Sequence, residues 1–255
     1  MRILFQLVHP SKYQLHNVTI NKLISENHKV DVLIQNKDVL EDLVKNEEWN
    51  YFNLFPRGRK ISFLPKILSN LLILIISIFR QLNFVRNRNY DLLVGGELGI
   101  VGKFRSIPSI YVTDTDMHNV PHQHQGCYFA DYIFCPEVCD MGMYNYKKIP
   151  YDGFKALCHL HPNYFRPDKN KLPKSLRNKN FFLIRTCLHN SNHDTNKTKG
   201  ILDRDLFYLT NFLEKHGEIV LSTERPLPSY FSKYHFVEQK GDISHYIYFA
   251  DMFVG

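Results

Sequence analysis

Short apolar runs alternate with segments of helix length along this chain, and no other feature restricts its fold as much. In the first half these runs are Ile3–Val8, Val30–Ile34, Tyr51–Phe55, Asp91–Val94, Ile110–Val112 and Tyr132–Cys135. Runs of this kind are typical of strands in parallel sheets, whose two faces are both covered by helices. We therefore predict an α/β fold made of doubly wound parallel sheets.

Helix signals fill the intervals between the first strands. Val18–Ser25 is predicted to be a helix, and Asn27 is expected to end it in the left-handed conformation that glycine usually takes. Asp38–Lys45 is predicted to be the next helix.

A second series of elements begins near residue 181. Its predicted members are the strand Phe181–Arg185, the helix Asp203–His216, the strands Glu218–Ser222 and Tyr234–Glu238, the helix Ser244–Ala250 and the strand Met252–Gly255. Residues 161–180 contain three prolines and many cations, which predicts a linker. The sequence thus predicts two domains, 1–165 and 166–255. The second is expected to be incomplete, because no loop follows its last strand.

Composition and motifs exclude several classes of protein. With 44% hydrophobic and 22% charged residues, the chain is neither disordered nor collagenous nor a coiled coil. Its formal charge of +7 favours an anionic partner, such as a phosphate-bearing ligand or an acidic membrane surface. P-loop, dinucleotide-binding, serine-hydrolase and zincin motifs are absent from the sequence, as are nucleic-acid-binding signatures, so we expect no nucleic-acid partner.

The five cysteines contain no CxxC pair, which predicts free thiols in a reducing, cytoplasmic environment. Met1–Val8 lacks the length and cleavage site of a signal peptide and is predicted to be a strand.

Leu64–Phe79 is the most apolar segment of the chain. As a helix its 16 residues span about 24 Å, against about 30 Å for the hydrocarbon core of a bilayer, so we expect that it does not cross a membrane. Two interpretations remain. It is a core helix, or it lies with the cations of residues 57–88 on the anionic inner face of the cell membrane.

Polar residues follow the predicted strands where parallel sheets bind their ligands. After the first strand come His9, suited to position a sugar hydroxyl or, as a catalytic base, to deprotonate it, and Lys12, suited to meet a phosphate. Glu97, Asp114 and Asp116 follow later strands, and one of them is a candidate general base. The alternatives are a turn shaped by proline at His9 and a capping sequence at Asp114.

A histidine-rich loop follows these carboxylates. His118, His122 and His124 suggest a zinc site, but no cysteine or carboxylate completes a recognised spacing, so we expect no metal. His118 is instead a candidate for substrate contact.

Several short motifs share an order along the chain. They are His9-Pro10-Ser11-Lys12-Tyr13, Asp114-Thr115-Asp116, Phe129-Ala130-Asp131-Tyr132-Ile133, Tyr151-Asp152-Gly153-Phe154, Leu160-His161-Pro162, Phe165-Arg166-Pro167-Asp168, Arg185 with His193-Asp194, and Glu224 with Pro228. This order resembles the bacterial and archaeal domain-of-unknown-function 354 family. That family is GT-B-like and is related to nucleotide-sugar glycosyltransferases and to non-hydrolysing UDP-N-acetylglucosamine 2-epimerases.

The resemblance implies two Rossmann-like domains that bind a UDP-sugar without a cofactor. Arg185 would face the diphosphate. His193, with Asp194 beside it, would face a reacting or phosphate-bearing group. Glu224 would contact the ribose or the base. The alternative for these residues is a flexible polar loop beside an arginine at a strand end. The chain departs from the family at Lys12 and Gln14, where further histidines are common, and at Gly255, beyond which relatives continue.

The sequence therefore predicts a glycosyltransferase-like enzyme that uses a nucleotide-sugar in the synthesis of a cell-surface polysaccharide or glycoconjugate. A UDP-N-acetylhexosamine 2-epimerase is the first alternative. The second is a truncated, non-catalytic protein that binds a membrane or a partner.

Overall fold

The structure, a computed structural model, describes residues 1–35, 40–56, 66–119, 124–186, 200–237 and 242–255. These residues form two compact units, Met1–His161 and Pro162–Gly255. The division falls shortly before the domain boundary predicted after residue 165.

The described part of the first unit is a single parallel sheet flanked by helices, with the strand order β3-β2-β1-β4-β5-β6-β7. The strands are β1 (Arg2–Leu7), β2 (Lys29–Ile34), β3 (Asn50–Asn53), β4 (Leu92–Val94), β5 (Ser109–Val112), β6 (Tyr132–Pro136) and β7 (Lys148–Tyr151). The helices are α1 (Pro10–Ser25), α2 (Leu40–Lys45), α3 (Lys66–Val85), α4 (Leu98–Arg105), α5 (His124–Phe129) and α6 (Leu157–Leu160). The strand order reverses between β1 and β4, and in such sheets the ligand binds beyond the carboxyl ends of the strands at this point.

Two hydrophobic cores cover the two faces of this sheet. Ile3, Phe5 and Leu7 of β1 belong to one core, whereas Leu4 belongs to the other. Side chains alternate across a strand, so a strand covered on both faces must be apolar at every position. This is the physical origin of the continuous apolar runs in the sequence.

The second unit repeats the pattern on a smaller scale. Its described elements are β8 (Phe181–Thr186), α7 (Asp203–Leu213), β9 (Glu218–Thr223), β10 (His235–Phe236), α8 (Ile243–Phe249) and β11 (Met252–Val254). The four strands are parallel, in the order β10-β9-β8-β11. When its strands are numbered from β8 along the chain, this order is 3-2-1-4. The first four strands in the order of the first sheet, β3-β2-β1-β4, follow the same pattern. Both units are therefore Rossmann-like, as the fold prediction requires.

Most predicted elements are confirmed to within a few residues, and Asn27 has the expected positive φ of 65°. The first helix, however, begins at Pro10 rather than Val18, because proline suits the first turn of a helix. The linker prediction for residues 161–180 was wrong in part. Leu172 and Leu176 are buried beside Phe181, so this segment packs into the second unit.

Helix α3 is longer than the sequence indicates, since it covers 20 residues. At 1.5 Å per residue it measures about 30 Å, so the prediction that this helix is too short to cross a membrane was wrong. Within it, Leu68–Val85 is long and apolar enough to span a bilayer, by length and composition alone. Part of the helix nevertheless packs in the first unit, where Ile73 and Val85 are buried.

Four of the five cysteines lie in the described residues, and all four are free thiols as predicted. One hydrophobic core contains three of them, Cys127, Cys135 and Cys139. Burial raises the pKa of each of these thiols, and it raises the pKa of Cys127 to about 12. Cys187 lies outside the described residues.

Asp31 holds together the amino ends of three strands. Its Oδ2 accepts hydrogen bonds from Arg2 Nη2 at 2.8 Å and from the Tyr90 hydroxyl at 2.6 Å, and its Oδ1 accepts one from Asn50. Burial alone would raise the pKa of Asp31, but the hydrogen bonds from Tyr90, Arg2 and Asn50 bring it below the ordinary value.

Replacing Asp31 with asparagine is expected to lower the free energy of unfolding by about 2–3 kcal/mol at neutral pH. A carboxylate whose pKa is lowered in the folded state stabilises the fold above its unfolded pKa. The difference between wild type and variant should therefore shrink as the pH falls through the folded pKa of Asp31. Urea unfolding at several pH values measures this, with the exposed Asp42→Asn as the control. A difference that stays constant down to the acid limit would contradict the ionised role of Asp31.

Candidate active site at the carboxyl edge of the first sheet

The turn between β1 and α1 is closed by its own side chains. His9 is the N-cap of α1, and its Nδ1 accepts the backbone N–H of Ser11 at 3.1 Å. The carbonyl of His9 accepts the N–H of Lys12 at 2.8 Å. Because Nδ1 accepts this hydrogen bond, the proton of the neutral ring is on Nε2. His9 thus has a capping role here, in addition to the substrate contact predicted from the sequence.

Lys12 projects from the first turn of α1 to the end of β5. Its Nζ donates to the carbonyl of Val112 at 2.8 Å and lies 5.7 Å from the centre of the Tyr111 ring. Burial and, to a smaller extent, the charge of Lys155 lower the pKa of Lys12 to about 8, although Asp114 opposes both effects. The side chain is therefore a cation at neutral pH that loses its proton in mildly alkaline solution.

Asp114 follows β5 and forms an ion pair with Lys155, whose Nζ lies 3.6 Å from Asp114 Oδ2. Both side chains keep part of their surface in solvent, 34% for Asp114 and 25% for Lys155. Lys12, Asp114 and Lys155 together form what we call the lysine–aspartate cluster. The Asp114 carboxylate is therefore accessible from solvent and paired with a cation, which makes it a candidate proton acceptor.

Lys155 was missed by the sequence analysis. It stands directly after the Tyr151-Asp152-Gly153-Phe154 motif and before α6, which packs against α1. The neighbouring motif itself, which was singled out in the sequence, was the available signal.

Two neutral histidines lie near the cluster. His16 is buried on α1 against the Phe5 ring, and burial, together with Lys12 and Lys155, lowers its pKa to about 3. Burial and Lys155 also lower the pKa of His159. Neither ring adds positive charge to the cluster at neutral pH.

Glu97 lies at the switch point but is committed to a network of hydrogen bonds. Its Oε2 accepts from Gln6 Nε2 at 2.9 Å, Gln81 Nε2 at 2.7 Å, Gln35 Nε2 at 3.3 Å and the Ser77 hydroxyl. These bonds join the ends of β1 and β2 to α3 and α4. Glu97 therefore holds these elements together through hydrogen bonds, and the catalytic role suggested by the sequence stays a prediction.

Gly95 makes this approach possible. It has φ +153°, and a Cβ at this position would lie 2.7 Å from the Cβ of Gln6. Only glycine allows β4 and β1 to come together at the switch point without displacing Gln6.

The other predicted residues of the first unit lie in the loop after Asp114. Asp116 Oδ1 accepts the N–H of Asp140 at 2.8 Å, which ties this loop to the turn that follows β6. His118 is exposed in a short 3₁₀ turn. His122 lies outside the described residues, and so does the side chain of His124. Over the described ranges, no three histidine, cysteine or acidic side chains lie close enough together to hold a metal ion.

In the second unit, Arg185 and Glu224 meet at the carboxyl edge of the sheet. Arg185 Nη2 lies 2.9 Å from Glu224 Oε1, and each side chain is about two-fifths exposed. Glu224 thus partly compensates the positive charge of Arg185 at the end of the strand. His193 and Asp194 lie outside the described residues.

No protein-family model matches the sequence, and no curated protein matches it. Solved structures match over nearly the whole chain. A UDP-GlcNAc 2-epimerase from Neisseria meningitidis bound to UDP-GlcNAc has a TM-score of 0.69 and 12% identity, over 99% of this chain and 76% of that one. A putative UDP-N-acetylglucosamine 2-epimerase from Listeria monocytogenes has a TM-score of 0.65 and 9% identity, over 99% and 73%.

HepE of Anabaena, in complex with UDP and glucose, has a TM-score of 0.56 and 14% identity, over 99% of this chain and 73% of that one. At such identities the similarity shows the fold. The chain thus has the GT-B-like α/β fold of UDP-GlcNAc 2-epimerases and glycosyltransferases, as predicted.

Proposed function

We propose that this protein binds a UDP-sugar and breaks the bond between the anomeric carbon and the diphosphate, as a glycosyltransferase does. The observation that carries the proposal is the lysine–aspartate cluster, an accessible carboxylate paired with Lys155 and near Lys12 at the carboxyl edge of the first sheet. Neighbours of the same fold that were crystallised with UDP or a UDP-sugar support this ligand. The proposed setting is cytoplasmic synthesis of a cell-surface polysaccharide or glycoconjugate.

Glycosyl transfer assigns a role to each member of the cluster. The Asp114 carboxylate accepts the proton of the acceptor hydroxyl, and the hydroxyl oxygen bonds to the anomeric carbon while UDP leaves with the electron pair of the broken bond. Lys12 and Lys155 stabilise the negative charge that develops as UDP departs. These steps use no metal ion and no cofactor.

The second candidate is 2-epimerisation of a UDP-N-acetylhexosamine, and the epimerases among the structural neighbours favour it. In this reaction Asp114 takes the proton from C2, the electron pair forms a double bond between C1 and C2, and UDP leaves. Return of UDP to C1 and of a proton to the other face of C2 completes the reaction.

One experiment separates these functions. The full chain is incubated with UDP-N-acetylglucosamine in D₂O, with and without saccharide acceptors, and followed by proton and phosphorus NMR. Deuterium at C2 without an acceptor identifies the epimerase, and UDP release that requires an acceptor identifies the transferase. Asp114→Asn is expected to lose about 100-fold or more of either activity, whereas the exposed Asp42→Asn should keep it. Absence of UDP-sugar binding in a titration would overturn the proposal and favour the non-catalytic alternative.

A further inference from the structure

Helix α3 buries several polar side chains beside the apolar Ile73 and Val85, and it exposes a row of large apolar side chains. Its inward face buries three polar residues, Ser69, Ser77 and Gln81. The large apolar residues of its outward face are exposed, with Leu68 at 52%, Leu71 at 54%, Leu72 at 38%, Ile75 at 42% and Phe79 at 70%. The spacing of these five residues by three and four positions places them in one stripe along the helix.

The inward hydrogen bonds fix the rotation of this helix. Gln81 and Ser77 both donate to Glu97, and Ser77 also accepts from Gln35. Turning the apolar stripe into the core would break these bonds and bury their groups without partners, which is costly. The stripe therefore stays on the surface of the described part of the first unit.

An additional apolar side chain and several cations accompany the stripe. Phe104 on α4, which packs against α3, is 72% exposed and stands between Lys103 and Arg105. Residues 57–88 contain seven lysines and arginines and no acidic residue. The whole chain has 32 basic and 25 acidic residues, so the remainder has 25 of each, and this segment accounts for the entire excess of +7.

We propose that the outward face of α3 is a docking surface for an anionic phospholipid bilayer. The apolar stripe enters the boundary between headgroups and acyl chains while the helix lies parallel to the membrane, and the exposed Arg80 and Arg86 meet lipid phosphates. The hydrogen bonds of Ser77 and Gln81 to Glu97 hold the opposite face of the helix in the first unit. Docking therefore does not require the helix to leave the fold.

Charge favours a bilayer over a second copy of the chain. A two-fold dimer would place the same patch of each copy against the other. The described cations of this segment, Arg80, Arg86 and Arg88, would then face the same cations of the second copy, and residues 57–88 contain no carboxylate to compensate them. An anionic leaflet has the opposite charge. This surface does not depend on the proposed nucleotide-sugar activity.

The test is co-sedimentation of the full chain with vesicles of phosphatidylcholine alone or with about 30% phosphatidylglycerol. The double variant Leu71→Gln/Phe79→Gln removes two exposed apolar side chains while keeping residues that suit a helix. Its matched control, Val138→Gln/Met143→Gln, changes two exposed apolar residues elsewhere, at 89% and 74% exposure. Thermal unfolding by circular dichroism verifies that each variant is folded, and the exposed Arg86→Glu tests the charge separately.

Wild type and control are expected to bind the anionic vesicles, and the α3 double variant about tenfold or more weakly. Arg86→Glu should bind several-fold more weakly, and about 0.5 M salt should weaken wild-type binding. Equal binding to both kinds of vesicle, equal loss in the control, or no binding by the wild type would overturn the proposal. A dimer in light scattering that Leu71→Gln/Phe79→Gln dissociates, without vesicle binding, would assign the surface to a second copy.

Discussion

Replacing Glu97 with alanine is expected to lower the free energy of unfolding by about 3–5 kcal/mol. The reason is that four side chains, Gln6, Gln35, Ser77 and Gln81, donate to one carboxylate oxygen. Gln35, Ser77 and Gln81 have no exposed surface, so water cannot replace the lost acceptor without rearrangement of the network. Urea unfolding followed by circular dichroism measures the change.

Two controls separate the network from the charge. Glu97→Gln keeps one oxygen that accepts hydrogen bonds, and it is expected to retain more than half of the stability lost in the alanine variant. Glu48→Ala, at an exposed position, should change the free energy of unfolding by no more than about 0.5 kcal/mol. An alanine variant of Glu97 as stable as the wild type would refute its positioning role.

The network around Glu97 shows why the sequence could locate this residue but not its hydrogen-bond partners. The rule that polar residues collect after strand ends placed Glu97 at the correct edge. Its partners Gln6 and Gln35 are 91 and 62 positions away, on other parts of the sheet. Hydrogen-bond partners at such separations follow from strand register and helix rotation, which no local pattern in the sequence encodes.

The strands were predictable because each covered strand must be apolar on both faces. β7 was missed since Lys148–Tyr151 contains a lysine and a proline, both of which an edge strand tolerates.

Helix α4 was missed because its two glycines lower helix propensity. Gly102 is required by packing, since a Cβ there would lie 2.6 Å from the carbonyl of Ile107. Tertiary contacts thus override local propensity at both places.

The residues of the candidate site could be predicted only where they follow a strand that was itself predicted. Lys12 and Asp114 follow strands that the sequence identified, whereas Lys155 follows β7, which it did not. In the second unit Arg185 pairs in register opposite Ser222, and only this register shows that Glu224 is near enough to form an ion pair with Arg185.

Replacing Lys12 with methionine is expected to reduce UDP-sugar turnover about 100-fold and, at the same time, to stabilise the fold by about 1–2 kcal/mol. Burial and the nearby Lys155 make the cation of Lys12 unfavourable in the folded protein, and its pKa near 8 records this. Removing the charge therefore raises the stability of the folded state. It also removes the cation that would contact a bound diphosphate. Thermal unfolding and the UDP-release assay measure the two effects, with the exposed Lys29→Met as control.

The pH dependence of the wild type provides an independent measurement of the same group. Because the pKa of Lys12 is lowered from 10.5 to about 8, the unfolded chain binds more protons than the folded one between these values, and the contribution of Lys12 to stability rises with pH there. Over the same range UDP-sugar binding should weaken, since the cation is lost. Lys12→Arg keeps its charge throughout and should bind with little dependence on pH in this range. A Lys12→Met variant that is less stable than the wild type and equally active would assign the lysine to packing against Tyr111 and Val112 rather than to the ligand.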